Sequence, residues 1–301
     1  MLDNIQLLFV WAPIINVQVI LEGIFLGAVF ALSAYGLALV WGVMNIKNLA
    51  QGDFVIMGGY LSFAISAYNI HLIIVLPLVM LIMFVYGWVI YKLIIKRVID
   101  QDMFTSLLAT FGLSLLMQQV MNLIFGPEVQ IIDMELPVYD AFDGFVTIPA
   151  VKIISLVLAG LLSISVIIFM KKSRTGQAIR ATAQDPRAAR VLGIDTDRVY
   201  AFTFSLNSAI CGAAGVFVSL IWIIQPFYGI TYSVRSFAIV TAAGLGNLPA
   251  VISAGFGIGL FEKYVGAILG TAYEVAAPVS MLLIVLIIRQ IYMRRNRQVV
   301  K

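Results

Sequence analysis

Charge is scarce in this sequence. Only 11% of its 301 residues are charged, against roughly a quarter in soluble domains, and 62% are hydrophobic. The 19 Lys and Arg and 15 Asp and Glu cannot cover a soluble fold of this size. A soluble enzyme, a nucleic-acid binder and a disordered scaffold are thereby excluded. The pI near 9.1 does not revive nucleic acid, because the excess is four charges spread over loops between apolar runs. Cysteine and histidine occur once each, as Cys211 and His71. A disulfide framework and a Cys/His metal cluster are therefore excluded. A nucleophilic triad would have to recruit His71, which sits in a short turn. The sequence also lacks any Gly-Lys pair, so it holds no Walker A loop. An ATP requirement would have to be met by another subunit.

What is abundant is apolar sequence, with a mean hydropathy of +1.03. A spanning helix needs about 20 apolar residues. Eight segments qualify: 17–41, 54–70, 71–91, 103–125, 151–170, 199–224, 236–262 and 273–290. The fold class expected is an all-α polytopic membrane protein, with residues 1–301 forming one transmembrane domain. The seventh segment holds Gly244, Gly246 and Pro249 within AAGLGNLP, so it is expected to be broken or re-entrant. The stretch 45–60 is also interrupted, by polar residues and by Gly52, Gly58 and Gly59. Residues 1–12 carry Asp3 and no Lys or Arg, so no cleavable signal is expected there.

Lys and Arg in short loops mark the cytoplasmic side. Residues 171–198 hold Lys171, Lys172, Arg174, Arg180, Arg187, Arg190 and Arg198; Lys92, Lys96 and Arg97 mark a second loop. The tail adds Arg289, Arg294, Arg295, Arg297 and Lys301. The loop 126–150 has Glu128, Asp133, Glu135, Asp140 and Asp143 and no basic residue before Lys152, so it is expected outside. With 225–235 also outside, the tail returns to the cytoplasm only if 236–262 turns back on itself.

Gly23, Gly27 and Ala31 share one face of the first span; Ser208 and Gly212, then Gly255 and Gly259, repeat the device. Small faces let membrane helices pack closely. Within the spans, charge is confined to Glu22, Asp53, Glu262 and Lys263, all near predicted span ends, so no proton relay crosses the middle. Gln118, Gln119, Asn122 and Asn207 are deeper and uncharged. Both interhelical hydrogen bonding and a weakly polar solute path remain open for them.

The 171–198 loop carries helix punctuation. Asp185 suits an N-cap, Pro186 the first helical position and Gly193 a left-handed stop. The implied helix, 186–192, is too short to stand alone. It presents Ala188, Ala189, Val191 and Leu192 beside Arg187 and Arg190. It is either a docking element for a cytosolic partner or a structured connector.

Three segments resemble permease subunits of branched-chain amino acid ABC transporters of the LivH type. They are GIFLGAVFALSAYGLALVWGVMNIKNLAQGDFVIMGGY (23–60), SRTGQAIRATAQDPRAARVLGIDTDRV (173–199) and AAGLGNLPAVISAGFGIGLFE (242–262). Asn48, Ala50, Gly52 and Asp53 match the family's first motif. Arg174, Gly176, Arg180, Asp185, Gly193 and Ile194 match its cytoplasmic loop, and Gly244, Gly246 and Pro249 its third motif. Three positions depart: Gln51 replaces the usual His, Ala250 a Gly, and Gln290 an Arg. The resemblance implies an importer permease in a bacterial cytoplasmic (inner) membrane. It implies a second homologous permease, two cytosolic ATPase subunits that use the ATP, and a periplasmic substrate-binding protein. No enzyme activity and no cofactor are expected in this chain itself. The substrate implied is a branched-chain amino acid, with urea, short amides or other amino acids as alternatives. The expected coupling set is Arg174, Gly176, Arg180, Asp185, Pro186, Arg187, Arg190, Gly193 and Ile194. The expected path set is Asn48, Gln51, Asp53, Gly244, Gly246, Asn247 and Pro249. A stand-alone secondary transporter would need a mid-depth charge pair, which the sequence does not advertise.

Overall fold

The structure is a computed structural model that describes residues 12–68, 70–132, 134, 136–244 and 247–297. Asp3, Asp133, Glu135, Gly246, Lys301 and the side chains of Arg289, Arg294, Arg295 and Arg297 lie outside the described residues.

Eleven helices carry the described chain. They are α1 (Ile15–Met44), α2 (Gln51–Ser66), α3 (Leu72–Ile90), α4 (Met103–Phe125), α5 (Ala150–Lys172), α6 (Arg174–Gln184), α7 (Pro186–Val191), α8 (Thr196–Ile221), α9 (Gly229–Ala243), α10 (Leu248–Leu269) and α11 (Ala277–Arg297). A π-turn at Tyr91–Ile95 prolongs α3 to Val98. Seven stretches, not the eight expected, are long and apolar enough to cross a membrane among the described residues, because α2, with 16 residues, is too short to count; the last stretch runs from Thr271 into α11. The protein is therefore an all-α, multi-pass membrane protein. His71 caps α3, its Nδ1 accepting from the Ile73 amide at 3.4 Å.

Two expectations need correction. Segment 236–262 is broken as expected, but its bounds are not those read from the sequence. It is α9, which ends at Ala243, followed by α10, which starts at Leu248, and α9 begins at Gly229. Residues 229–235 are thus helical. The break itself falls where expected: Gly244 has φ +84° and the Asn247 side chain caps the Ala250 amide at 3.3 Å. The second correction concerns 45–60. Only 45–50 is non-helical, and Gly52, Gly58 and Gly59 lie inside a continuous α2. They are contact points, not breaks. A methyl on Gly58 would collide with Gly212 in α8, and one on Gly59 would come within 3.2 Å of the Gly215 carbonyl oxygen.

The helices α1 and α8 are apolar on every side and buried nearly all round, as helices in the middle of a bundle should be. Around them the packing is two-fold in character. α1 runs against α10 as α8 runs against α3; α9 lies on α1 as α2 lies on α8. Small residues set both seams. Gly23 and Gly27 meet Leu260 and Gly255, while Gly212 meets Met83 and Gly87 meets Ser205 and Ser208. The small-residue faces are thus close-packing faces.

The loop 126–150 contains an antiparallel hairpin, β1 (Val138–Ala141) with β2 (Val146–Pro149), that sequence periodicity does not reveal. Ahead of the hairpin the loop is tied to the segment that follows α8: Gln130 and Ile224 exchange backbone bonds of 2.9 and 2.8 Å. Asp140 and Asp143 are exposed on the hairpin, far in sequence from the basic stretch 171–198. Cysteines placed singly at Asp140 and Arg187 are expected to react with an impermeant thiol reagent from opposite sides of sealed vesicles. Reaction of both from one side would overturn the assigned orientation. Cys211 is buried and stays silent.

Candidate functional site: a buried polar junction and a doubly capped helix

Interrupted backbone inside a membrane protein must be satisfied by other protein groups or by a cavity. Residues 45–50 return the chain from the end of α1 into the bundle, and α2 starts there, with Asn48, Gln51 and Asp53 fully buried. The first turn of α2 abuts the first turn of α9. The Gly52 amide donates to Ser233 Oγ at 2.8 Å, and that hydroxyl donates to the Leu49 carbonyl at 2.8 Å. A side chain on Gly52 would strike the Gly229 carbonyl, and one on Gly229 would strike Asp53.

Gln51 sits at the crossing. Its Nε2 is 2.9 Å from the Ser33 carbonyl, 3.0 Å from Asn207 Oδ1 and 3.0 Å from Cys211 Sγ. Two amide hydrogens face three acceptors, so the set has more than one satisfied arrangement. Asn48 joins at 3.5 Å from Gln51 Oε1, and Ser33 Oγ lies 2.9 Å from Ser236 Oγ. Gln118 Nε2 on α4 donates to Asp53 Oδ1 at 3.0 Å and to Ser114 Oγ at 3.1 Å. Asp53 Oδ2 and Asn207 Nδ2 are buried without a hydrogen-bond partner among the described residues. Buried unpaired polar atoms are uncommon in finished cores, and here two flank one junction.

The path residues expected from sequence therefore separate. Asn48, Gln51 and Asp53 come together, joined by Ser33, Gln118, Asn207 and Ser233. Gly244, Asn247 and Pro249 do not join them. They lie at the opposite end of α9, where Gly244 ends that helix about 22 Å along it from Gly229, Asn247 caps α10 and Pro249 sits in the first turn of α10. Asp53 begins a helix, as its sequence position suggests, but that helix begins in the interior. Gln118 and Asn207 are buried, whereas Gln119 is exposed.

The stretch from Ser173 to Gly193 folds as a bracket of two helices. The Ser173 hydroxyl caps α6 by accepting from the Gly176 amide at 2.8 Å, and Gly176 packs onto the last carbonyls of α5. The polar composition of α6 hides it in the sequence; Ser173 three residues before Gly176 is the available signal. Asp185 Oδ1 then accepts from the amides of Arg187 and Ala188 at 2.8 and 3.0 Å, with Pro186 in the first turn. At the other end Gly193 has φ +85°. Its amide bonds the Arg190 carbonyl, and the Ile194 amide bonds the Ala189 carbonyl, both at 3.0 Å. That pair is a Schellman stop. Arg190 Nε donates to Thr196 Oγ1 at 2.7 Å and so fastens α7 to the first residue of α8. Arg174, Arg180 and Arg187 are exposed, and Ile194 is half-buried.

Residues 19–288 match the profile of a family described as branched-chain amino acid transport system / permease component. The chain belongs to this family. The permease is similar to the high-affinity branched-chain amino acid transport system permease protein LivH of Escherichia coli, at 28% identity over 90% of this chain and 92% of that protein. It is similar to BraD of Pseudomonas aeruginosa, at 25% identity over 90% and 93%. A probable LivH from Methanocaldococcus jannaschii matches at 26% over 89% of each chain. Among solved structures, PsaBC from Streptococcus pneumoniae in complex with Fab covers 88% of the permease at 12% identity and TM-score 0.46.

One charged residue of the permease is hidden at the level of sequence. Arg235 falls in the expected external loop, yet it lies in α9 and makes a two-pronged pair with Glu262 on α10, its Nε at 3.1 and 3.2 Å from the two carboxylate oxygens. Only the helical state of 229–243 places it there.

The amides of Ala188 and Arg187 hold the exposed Asp185 carboxyl below the usual carboxylate range. A depressed value means the charged cap supports α7 above the ordinary carboxylate pKa. That support is lost as pH falls through the lowered value. The protection of the α7 amides from hydrogen exchange, taken relative to the intrinsic rate at each pH, is therefore expected to fall on acidification below the carboxylate range, and Asp185→Asn is expected to flatten that response.

Proposed function

We propose that the permease is one half of the membrane channel of an ATP-driven importer for branched-chain amino acids in a bacterial inner membrane. Its partners are a second homologous permease, two cytosolic ATPase subunits and a periplasmic binding protein. The observation that carries the coupling part is α7. Val191 and Leu192 are 88% and 79% exposed at the stop of a doubly capped helix. Apolar side chains held this rigidly outside the core suit a partner's pocket.

The mechanism follows from what α7 is fastened to. Closure of the ATPases displaces α7; the Arg190–Thr196 bond passes the displacement to α8; α6 ties the same bracket to α1 and α5. Asn207 lies on α8 about 16 Å beyond Thr196. A shift of α8 therefore changes which acceptor Gln51 satisfies, and with it the fit of α2 on α9. The amides and hydroxyls around Gln51 hold a passing solute weakly, as suits a permease that forwards what a binding protein has already selected. Discontinuous helices beside the route are used in this way by other transporters.

Reconstitution tests the reading. Proteoliposomes holding the permease with its partner permease and ATPases are expected to accumulate leucine only with internal ATP and external binding protein. Leucine uptake without ATPase subunits would mark a secondary transporter, and uptake of urea or amides in its place would move the substrate class.

A further inference from the structure

At the end of the bundle that carries the acidic hairpin, a cavity of about 350 Å³ opens between α1, the end of α8, α9 and α10. We propose that this cavity is the receiving site for the solute, and that it recognises the zwitterionic head of an amino acid with an apolar side chain. The proposal rests on the amino acid importer reading and assigns residues to it.

Its charges come as two complete pairs. Arg235 holds Glu262 through Nε and Nη2, and Lys263 Nζ lies 3.0 Å from Glu274 Oε2. The cavity is thus neutral overall, yet it keeps capacity of both signs. Arg235 Nη1 has no protein partner among the described residues, and the Lys263 ammonium has hydrogens to spare beyond its bond to Glu274. In this assignment the solute carboxylate takes the free donors of these two cations, and its ammonium takes Glu274. A net anion or a net cation would leave one pair uncompensated. A zwitterion leaves neither. The remaining wall combines aromatic residues with Leu26, Ile223, Thr231 and Val275: Phe30 and Tyr232 lie under the Arg235 guanidinium at 4.8 and 5.9 Å, and Trp222 stacks toward Phe30 at 6.2 Å. Aromatic faces accept a branched aliphatic side chain and preorganise the guanidinium. Because both pairs already satisfy each other, a ligand gains only by exchange. Binding is weak by construction, which lets the solute move on.

Thr231 lines the cavity and provides the test. Thr231→Cys complexes are assayed for the rate of labelling by an impermeant thiol reagent added on the hairpin side; Cys211 is fully buried and does not compete. L-Leucine at ten times its dissociation constant is expected to slow labelling about tenfold. Isocaproate, which lacks the ammonium, and isoamylamine, which lacks the carboxylate, are expected to leave the rate unchanged. Lys263→Gln is expected to shift leucine protection to higher concentration while the complex stays assembled. Complexes that transport leucine but show no protection, or equal protection by either analogue, would overturn this site and leave the importer reading standing. Unmodified complexes that transport no amino acid would overturn the importer reading instead.

Discussion

Complexes carrying Gly193→Val are expected to lose the ATP hydrolysis that loaded binding protein stimulates, while the permease still inserts and purifies. Gly193 holds φ +85° with no atom within 4 Å of where a Cβ would stand. The harm is therefore purely conformational. A β-branched residue in the left-handed region costs about 1–3 kcal/mol. A six-residue helix has no reserve of its own to meet that cost. Its stop bonds, Gly193 to Arg190 and Ile194 to Ala189, would open, and Val191 and Leu192 would no longer be presented at a fixed angle. Asparagine tolerates the left-handed conformation, so Gly193→Asn is expected to keep most of the stimulation. The measurement is ATPase activity with and without loaded binding protein, alongside co-purification of the ATPase subunits. Full stimulation in Gly193→Val would reduce α7 to a connector.

Some of this is legible in the sequence and some is not, for reasons that lie in the range of the interactions. The stop and start of α7 are local. Asp185, Pro186 and Gly193 act within one turn of themselves, so their spacing announces them. The membrane spans are local too, since an apolar run of the right length needs no partner to be recognised. Glycine is different. Gly244 breaks a helix and Gly58 does not, although both sit in glycine-rich stretches. The difference is that Gly58 faces Gly212, more than a hundred residues away. The Gln51 junction is legible only in part for the same reason. Asn48 and Asp53 lie beside it in sequence, but Ser33, Gln118, Asn207 and Ser233 come from four other helices. Arg235 is hidden because a charge before an apolar run looks like a loop until Glu262 is placed opposite it.

Gly52→Val is expected to prevent the bundle from closing, a failure of assembly that Gly193→Val does not share. The α2–α9 junction is set by backbone approaching backbone. A Cβ on Gly52 would overlap the Gly229 carbonyl and come within 2.6 Å of the Ser233 amide nitrogen. Neither is the far end of a flexible side chain, so neither can rotate away. To admit the larger residue, α9 must move off α2. Overpacking of that kind typically costs about 1–3 kcal/mol and at times more. The separation would also break the Gly52 amide bond to Ser233 and the Ser233 bond to Leu49. Leaving those groups buried and unpaired adds about 1–3 kcal/mol for each. Such a sum competes with the whole stability of an ordinary domain. Gly42 supplies the contrast within the same protein. It lies in α1, and a methyl group there would meet nothing within 4 Å. Gly42→Ala therefore lowers the entropy of the unfolded chain without a clash and is expected to be neutral or slightly stabilising. Size-exclusion profiles and thermal inactivation of the two variants, purified in the same detergent, separate the cases. A Gly52→Val protein that matches Gly42→Ala in yield and thermal stability would show that α2 and α9 do not meet at this glycine.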